Sequence, residues 1–286
     1  MKHNYTTIFC LAFALNLIAC TNGDTNSTNK VTYNFPEGTV IANIENDACL
    51  DRVSRLLNEG STIDKEALEA MSKVSVAQEK EAGERYHKLL SNELKYVDSN
   101  DEQVKLLQTM LNKMLPYVER KEIHYRVFVV DDNEVLNAWT HAGGYIYVTT
   151  KLIDFVDTKD ELAVVLGHEI GHNENHHVVR NLKRGNLLKD LGGIFGVDLG
   201  DDVNEGLGNL FGVLLTPYNQ PQEHEADKAG LYLAYKAGYD PEKGANFFEK
   251  LKAHVNDSWV QRFISSHPHP AERVACMHEY LDKSRQ

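Results

Sequence analysis

Positive charge is in short supply. The chain has 30 Lys and Arg against 42 Asp and Glu, a net charge of −12 over 286 residues. Phosphate backbones are held by clustered Lys and Arg. The strongest basic run, Arg180 to Arg184, is no more than a solvated helix end. No nucleic-acid partner is therefore expected. Long apolar runs are also missing: Ile8 to Ile18 falls short of the ~20 residues a membrane-crossing helix needs. Cysteine is scarce, with four in the chain, and there is no internal repeat. The rest is ordinary. Apolar residues make up 42 % and charged residues 25 %, a soluble globular balance. The length allows one substantial core or two small ones.

The first residues read as a targeting segment. Lys2 gives a short positive region, Ile8 to Ile18 an apolar one, and Leu17-Ile18-Ala19-Cys20 resembles a bacterial lipobox. Residues 1–19 are expected to be a lipoprotein signal peptide and Cys20 the lipidated residue, with a plain secretory signal as the alternative. Residues 20–44 then hold the lipidated cysteine and a tether; 21–35, rich in Thr, Asn and Ser, are expected to be flexible. Thr21 is not the aspartate that retains enteric lipoproteins at the inner membrane. The expected location is the cell envelope, on the outer membrane and facing the periplasm. That compartment permits disulfides. Cys49 and Cys276 either pair, tying the domain's first helix to its last, or stand as separate buried thiols.

Residues 45–286 are expected to form a single domain, with N-terminal helices over 45–119 and a catalytic core over 120–286. Apolar spacing predicts helices over 45–58 and 62–115, closed by Pro116. Ile123 to Val130 reads as a strand, with shorter strands at 135–140 and 145–149 separated by Gly143-Gly144. A helix opens at Thr158, where Thr158-Lys159-Asp160-Glu161 fits a capping box, and runs to about Arg184. Residues 185–216 hold eight glycines among apolar residues, a pattern shared by short packed helices and a mobile cover. Further helices run from Pro221 to Gly238, from Asp240-Pro241 onward, and over 271–283.

His168-Glu169-Ile170-Gly171-His172 is an HExxH pattern. Residues four apart share a helix face, so both imidazoles reach one ion, while Glu169 aims its carboxylate at the ion's open side. A third ligand must come from elsewhere. Asn175 and Val178 replace the glycine and histidine of a metzincin. His176 continues the same face, and three ligands in a row along one straight helix cannot surround an ion. Glu223 opens a second helix and approaches from another direction. Asp227, one turn on, can accept the free ring N–H of a ligand histidine. Glu225 is expected to face solvent. Zinc on three protein ligands keeps a fourth position for water; one zinc per chain is expected.

His168 to His172 followed by Glu223-His224-Glu225-Ala226-Asp227 resembles the HExxH…ExxAD signature of the Ste-type (CAAX-type) zinc metallopeptidases, most closely their soluble bacterial lipoprotein and periplasmic members. Other segments agree. Asn137-Ala138-Trp139 with Gly143 to Val148 is similar to the family's edge-strand hairpin. Asp160 to Gly167 is similar to its lead-in helix, and Ser266-His267-Pro268 with Arg273 to its C-terminal element. The resemblance covers about residues 120–285. Asn219-Gln220 and Ala142 depart from the family's usual Ser-Arg and proline.

The resemblance implies an α+β, zincin-like (gluzincin) fold, mostly helical, with one small sheet beside the HExxH helix. It implies a zinc metalloendopeptidase. Glu169 is its general base and then acid, and His267 an oxyanion donor supported by Arg273. Protein or peptide substrates would lie extended along Asn137, Ala138, Trp139 and Thr140. His267 has a second available use as a zinc ligand, with Ser265-Ser266 leaving room for rotation. Unfolded or misassembled envelope proteins are the expected substrates, with the membrane reached through the lipid anchor. The rival is a lipid-anchored chaperone or assembly factor with a structural zinc. No signal for an oligomeric state is present.

Overall fold

Helix starts are set by short polar side chains that take up free backbone amides. A computed structural model describes residues 31–36, 40, 47–57, 74–179, 218–268 and 270–286. The expected signal peptide, Cys20, most of the tether, the basic run 180–184 and the glycine-rich stretch 185–216 lie outside the described residues. Helix α1 is Ala48–Leu57. Ser75 and Gln78 cap α2 (Val76–Glu93) reciprocally, and Asp101 caps α3 (Glu102–Met114). One helix was expected across 62–115. It is broken at Leu94 to Asp101, where Asp98 Oδ1 accepts from Asn100 N–H at 2.8 Å and Val97 N–H donates to Val129 O at 2.9 Å. Turn-forming Asp and Asn side chains there outbid helix continuation.

The strands are β1 (Arg126–Val130), β2 (Ala138–His141) and β3 (Tyr145–Thr149). Their order is β1-β3-β2, with β1 parallel and β2 antiparallel to β3. The β2–β3 turn needs glycine: Gly143 and Gly144 have φ of 78° and 84°. Strand β2 is left at the edge among the described residues. A short helix α4 (Thr150–Phe155), not anticipated from the sequence, leads on from β3.

Helix α5 (Lys159–Glu174) starts as expected, with Thr158 Oγ1 accepting from Glu161 N–H. The reciprocal half of the capping box is absent, because Glu161 Oε2 accepts from Asp157 N–H at 2.9 Å and from Lys250 Nζ at 3.0 Å. The helix also ends earlier than expected, at Asn175, and His176 takes a left-handed φ of 56°. Helix α6 (Gln220–Lys236) is capped by Asn219 and Gln222 and followed by Gly238 at φ 91°. Helices α7 (Pro241–Ala253), α8 (Gln261–Ser266) and α9 (Pro270–Ser284) complete the order.

Helices α5 and α6 meet through glycine. A Cβ on Gly167 would lie 2.9 Å from Gly230 O, and one on Gly230 2.8 Å from Val164 O. This close approach carries the start of α6 up to the HExxH face. Around it Leu162, Val165, Leu166, Leu231, Phe247, Phe248 and Met277 form the core. Each fully buried side chain of this kind contributes about 1.5–3 kcal/mol. Tyr33 joins that core, Phe35 packs on Tyr235 and Tyr280, and Asn34 N–H donates to Ser284 O at 2.7 Å. Flexibility was expected over 21–35, yet Tyr33 to Phe35 are docked: two aromatics in a polar run suffice to hold them. Cys49 and Cys276 form a disulfide joining α1 to α9. Asp47 caps α1 and pairs with Lys228 Nζ of α6 at 2.6 Å. Among the described residues no helix is long and apolar enough to cross a membrane.

Candidate metal centre

Helix α5 is enclosed over nearly all its length, so its polar residues must find partners inside the protein. His168 and His172 stand one turn apart with Nε2 atoms 3.0 Å from each other. From the first turn of α6, Glu223 brings Oε1 to 3.4 Å from His172 Nε2 and Oε2 to 3.7 Å from His168 Nε2. His267, immediately after α8, places Nδ1 3.2 Å from Glu223 Oε1 and 3.3 Å from His168 Nε2. One ligand atom from each of the four lies within 4.8 Å of the others.

These residues fit a metal ion. A neutral imidazole has one N–H, and here three ring nitrogens crowd together with a carboxylate, all buried. The Glu169 carboxylate is wholly buried beside them, and among the described residues neither of its oxygens has a hydrogen-bond partner. Its closest histidine contact is His267 Nε2 at 3.5 Å. Converging lone pairs in a dry pocket are the donor set of a divalent cation.

The surroundings hold the donors in the right form. Asp227 Oδ1 lies 2.9 Å from His168 Nδ1, which leaves Nε2 for the cluster. Burial opposes ionisation of Asp227 and Glu223, but Arg273 holds Asp227 below its usual range and, with His267, holds Glu223 well below it. The Arg273 guanidinium donates to Asp227 at 2.9 Å through Nε and at 2.5 Å through Nη2, and its Nη1 pairs with Glu223 Oε2. Arg273 was expected to support His267; its ion pairs go to the two carboxylates, and its Nη2 lies 3.4 Å from His168 Nδ1. Burial pushes the His172 imidazole well below its ordinary value, helped by His168 beside it, so it stays neutral. Burial also lowers His267, but Glu223 and Glu169 outweigh it and raise the group. Burial raises the Glu169 carboxyl against the pull of His267 and His168.

Ser265 and Ser266, expected to give His267 freedom, are helical, and Ser266 Oγ donates to Arg262 O and Phe263 O, each at 3.1 Å. The strand expected to receive substrate borders the cluster. Asn137 O accepts from Thr149 N–H at 3.0 Å, so the antiparallel alternation turns the main chain of Ala138 and Thr140 away from β3. Ala138 O lies 3.4 Å from His267 Nε2. Trp139 stacks on Tyr147 at 5.0 Å. Asn173 of α5 pins the hairpin, donating to Thr140 Oγ1 and to His141 O and accepting from Gly144 N–H at 3.2 Å.

Glu225 was expected to face solvent. It is buried, with Oε2 2.5 Å from His177 Nε2. Helix period does turn it away from Glu223, but α6 is packed on all sides in its first turns and has no wet face there. His177 was missed altogether; only its nearness to the motif could have signalled it.

The model of Peptidase family M48 matches residues 101–281. This chain belongs to that family. Metalloprotease LoiP of Escherichia coli K12 is 30 % identical over 223 residues, 77 % of this chain and 84 % of LoiP. The Beta-barrel assembly-enhancing protease of the same organism is 26 % identical over 221 residues, 72 % of this chain and 44 % of that protein. Mitochondrial metalloendopeptidase OMA1 of Arabidopsis thaliana is 31 % identical over 151 residues, covering 53 % of this chain and 30 % of OMA1. The chain thus spans most of LoiP and less than half of the other two. As an M48 peptidase it is a metalloendopeptidase with an α+β, zincin-like fold, mostly helical with a small sheet beside α5, as the resemblance implied.

Proposed function

We propose that this M48 peptidase carries one zinc on His168, His172 and Glu223 and hydrolyses peptide bonds of unfolded or misassembled proteins in the cell envelope. The observation that carries the chemistry is the buried, unpartnered Glu169 carboxylate beside the ligand cluster. Zinc, when bound, supplies a Lewis acid for the carbonyl and makes water a nucleophile near neutral pH. With the ion bound, Glu169, buried beside the cluster and raised by that burial, would take a proton from the attacking water and give it to the leaving amine. Asp227 orients His168, and Arg273 keeps Glu223 ionised. The outward main chain of Ala138 and Thr140 pairs with an extended substrate, a mode that favours unfolded chains over particular sequences. His267 has two uses in this reading: a fourth ligand at rest and, when turned toward substrate, an oxyanion donor.

The lipobox at Cys20 and the disulfide support an envelope location with a lipid anchor. A structural zinc in a chaperone would leave Glu169 without a purpose, which counts against the rival. Purified protein should degrade casein, lose activity to a chelator, and regain it with zinc. Intact binding of unfolded protein without any cleavage would favour the chaperone. A Cys20→Ser chain should leave the membrane fraction.

A further inference from the structure

The two ligand histidines of α5 are held from behind by different means. His168 Nδ1 meets Asp227 directly at 2.9 Å. Among the described residues His172 Nδ1 meets no carboxylate. It lies 2.7 Å from Nδ1 of His177, whose Nε2 lies 2.5 Å from Glu225 Oε2. All three side chains are buried. The direction of the protons follows from the ends of this chain. His172 turns Nε2 to the ligand cluster, so its Nδ1 carries hydrogen and donates. His177 Nδ1 must then accept, its Nε2 must carry hydrogen, and Glu225 accepts.

The backbone is shaped for this contact. Residue 177 of an unbroken helix would lie about 140° around from His172. His176 interrupts α5 with a φ of 56°, an uncommon conformation for a residue other than glycine, and the chain folds His177 back beneath the ligand. Tyr218 stacks on the His172 ring at 3.7 Å and 17°, fixing its plane.

We infer that His177 and Glu225 are positioning residues of the metal centre, a relay that fixes the tautomer and aim of His172 as Asp227 does for His168. The inference rests on the zinc-ligand reading above. Carboxylates 225 and 227 of one helix thereby secure the two imidazoles of the other.

The test is zinc affinity of metal-free protein by competition with a chromophoric chelator, together with the visible spectrum of the Co²⁺-substituted protein. His177→Phe keeps the ring volume and removes the acceptor. It is expected to weaken zinc by about 10–100-fold and to alter the Co²⁺ bands, with far-UV circular dichroism unchanged. His177→Asn, which restores an acceptor near the Nδ1 position, should recover much of the loss. Glu225→Gln should weaken zinc less than Glu225→Leu. A folded His177→Phe protein with wild-type affinity and spectrum overturns the relay. If that variant does not fold, unchanged affinity in both Glu225 variants overturns it equally. Failure of the underlying ligand reading looks different: His168→Ala would then still bind zinc at full strength.

Discussion

The two faces of the sheet bury polar side chains by opposite means. Toward α5, Glu169, Glu223, Asp227, His168, His172, His267 and Arg273 set charge against charge. On the other face, Tyr86, Tyr145, Tyr147, Phe128, Trp139, His87 and His141 stack as rings and share hydroxyls. The same residue type responds oppositely in the two places. His267, facing two carboxylates, is raised, whereas His141, facing aromatic rings, is pushed down to about 3 by burial. One face is built to accept a cation; the other is built to stay neutral.

The sharpest separation of the faces comes from Glu169→Gln. Turnover should fall about 10²–10⁴-fold, while zinc measured by atomic absorption stays at one per chain. Retained turnover would remove the base from the charged face.

Next in size is Arg273→Met, which leaves Glu223 and Asp227 buried without their cation. The metal-free protein should lose about 3–5 kcal/mol in denaturant unfolding. A loss no larger than that of an exposed pair such as Arg85–Glu81 would mean that water reaches this face.

On the neutral face, Tyr147→Phe removes the hydroxyl that serves His87 Nδ1 at 2.8 Å and His141 Nε2 at 2.9 Å. About 1–3 kcal/mol of stability should go, with zinc affinity untouched. A change in affinity would show that the faces are coupled through β2.

The last effect is graded, spread over several pH units. His141 is depressed to about 3 in the fold and titrates near ~6.5 when unfolded. As pH falls through that window the unfolded state binds the proton first. The stability is fully present above ~6.5 and lost toward 3, at no more than about 1.4 kcal/mol per pH unit. His141→Gln should flatten the slope by that amount in thermal melts of metal-free protein between pH 7 and 4.

The convergence of His168, His172 and Glu223 on the charged face could be read from the chain because HExxH and Glu223 obey helix period, and period survives folding. The cap at Thr158, the start at Asp240-Pro241 and the glycine hairpin were legible for the same reason: each depends on residues within one turn. The last helix, expected from 271, begins one residue earlier at Pro270. Contacts made by enclosure were not. Glu225 looked solvated because period gives a direction but not what lies there. His177 depends on a left-handed break at His176, which no local pattern announces. The docking of Tyr33 and Phe35 is set by partners far along the chain, and the break at Leu94 to Asp101 joins a local Asp98 turn to a distant partner, Val129. Arg273 was rightly placed near the site, yet its carboxylate partners, Glu223 and Asp227, became visible only in space.

The bond between Cys49 and Cys276 has a consequence for a protein that cuts proteins. The two cysteines lie 227 residues apart, so the main chain between them is a covalent ring. A single nick anywhere in that ring, whether by this peptidase or by another, leaves one molecule. It would run as one band on a gel without reductant and as two with it. Damage of that kind would not release α9, and Arg273 would remain tied through the sulfur bridge to the helix at the other end of the domain.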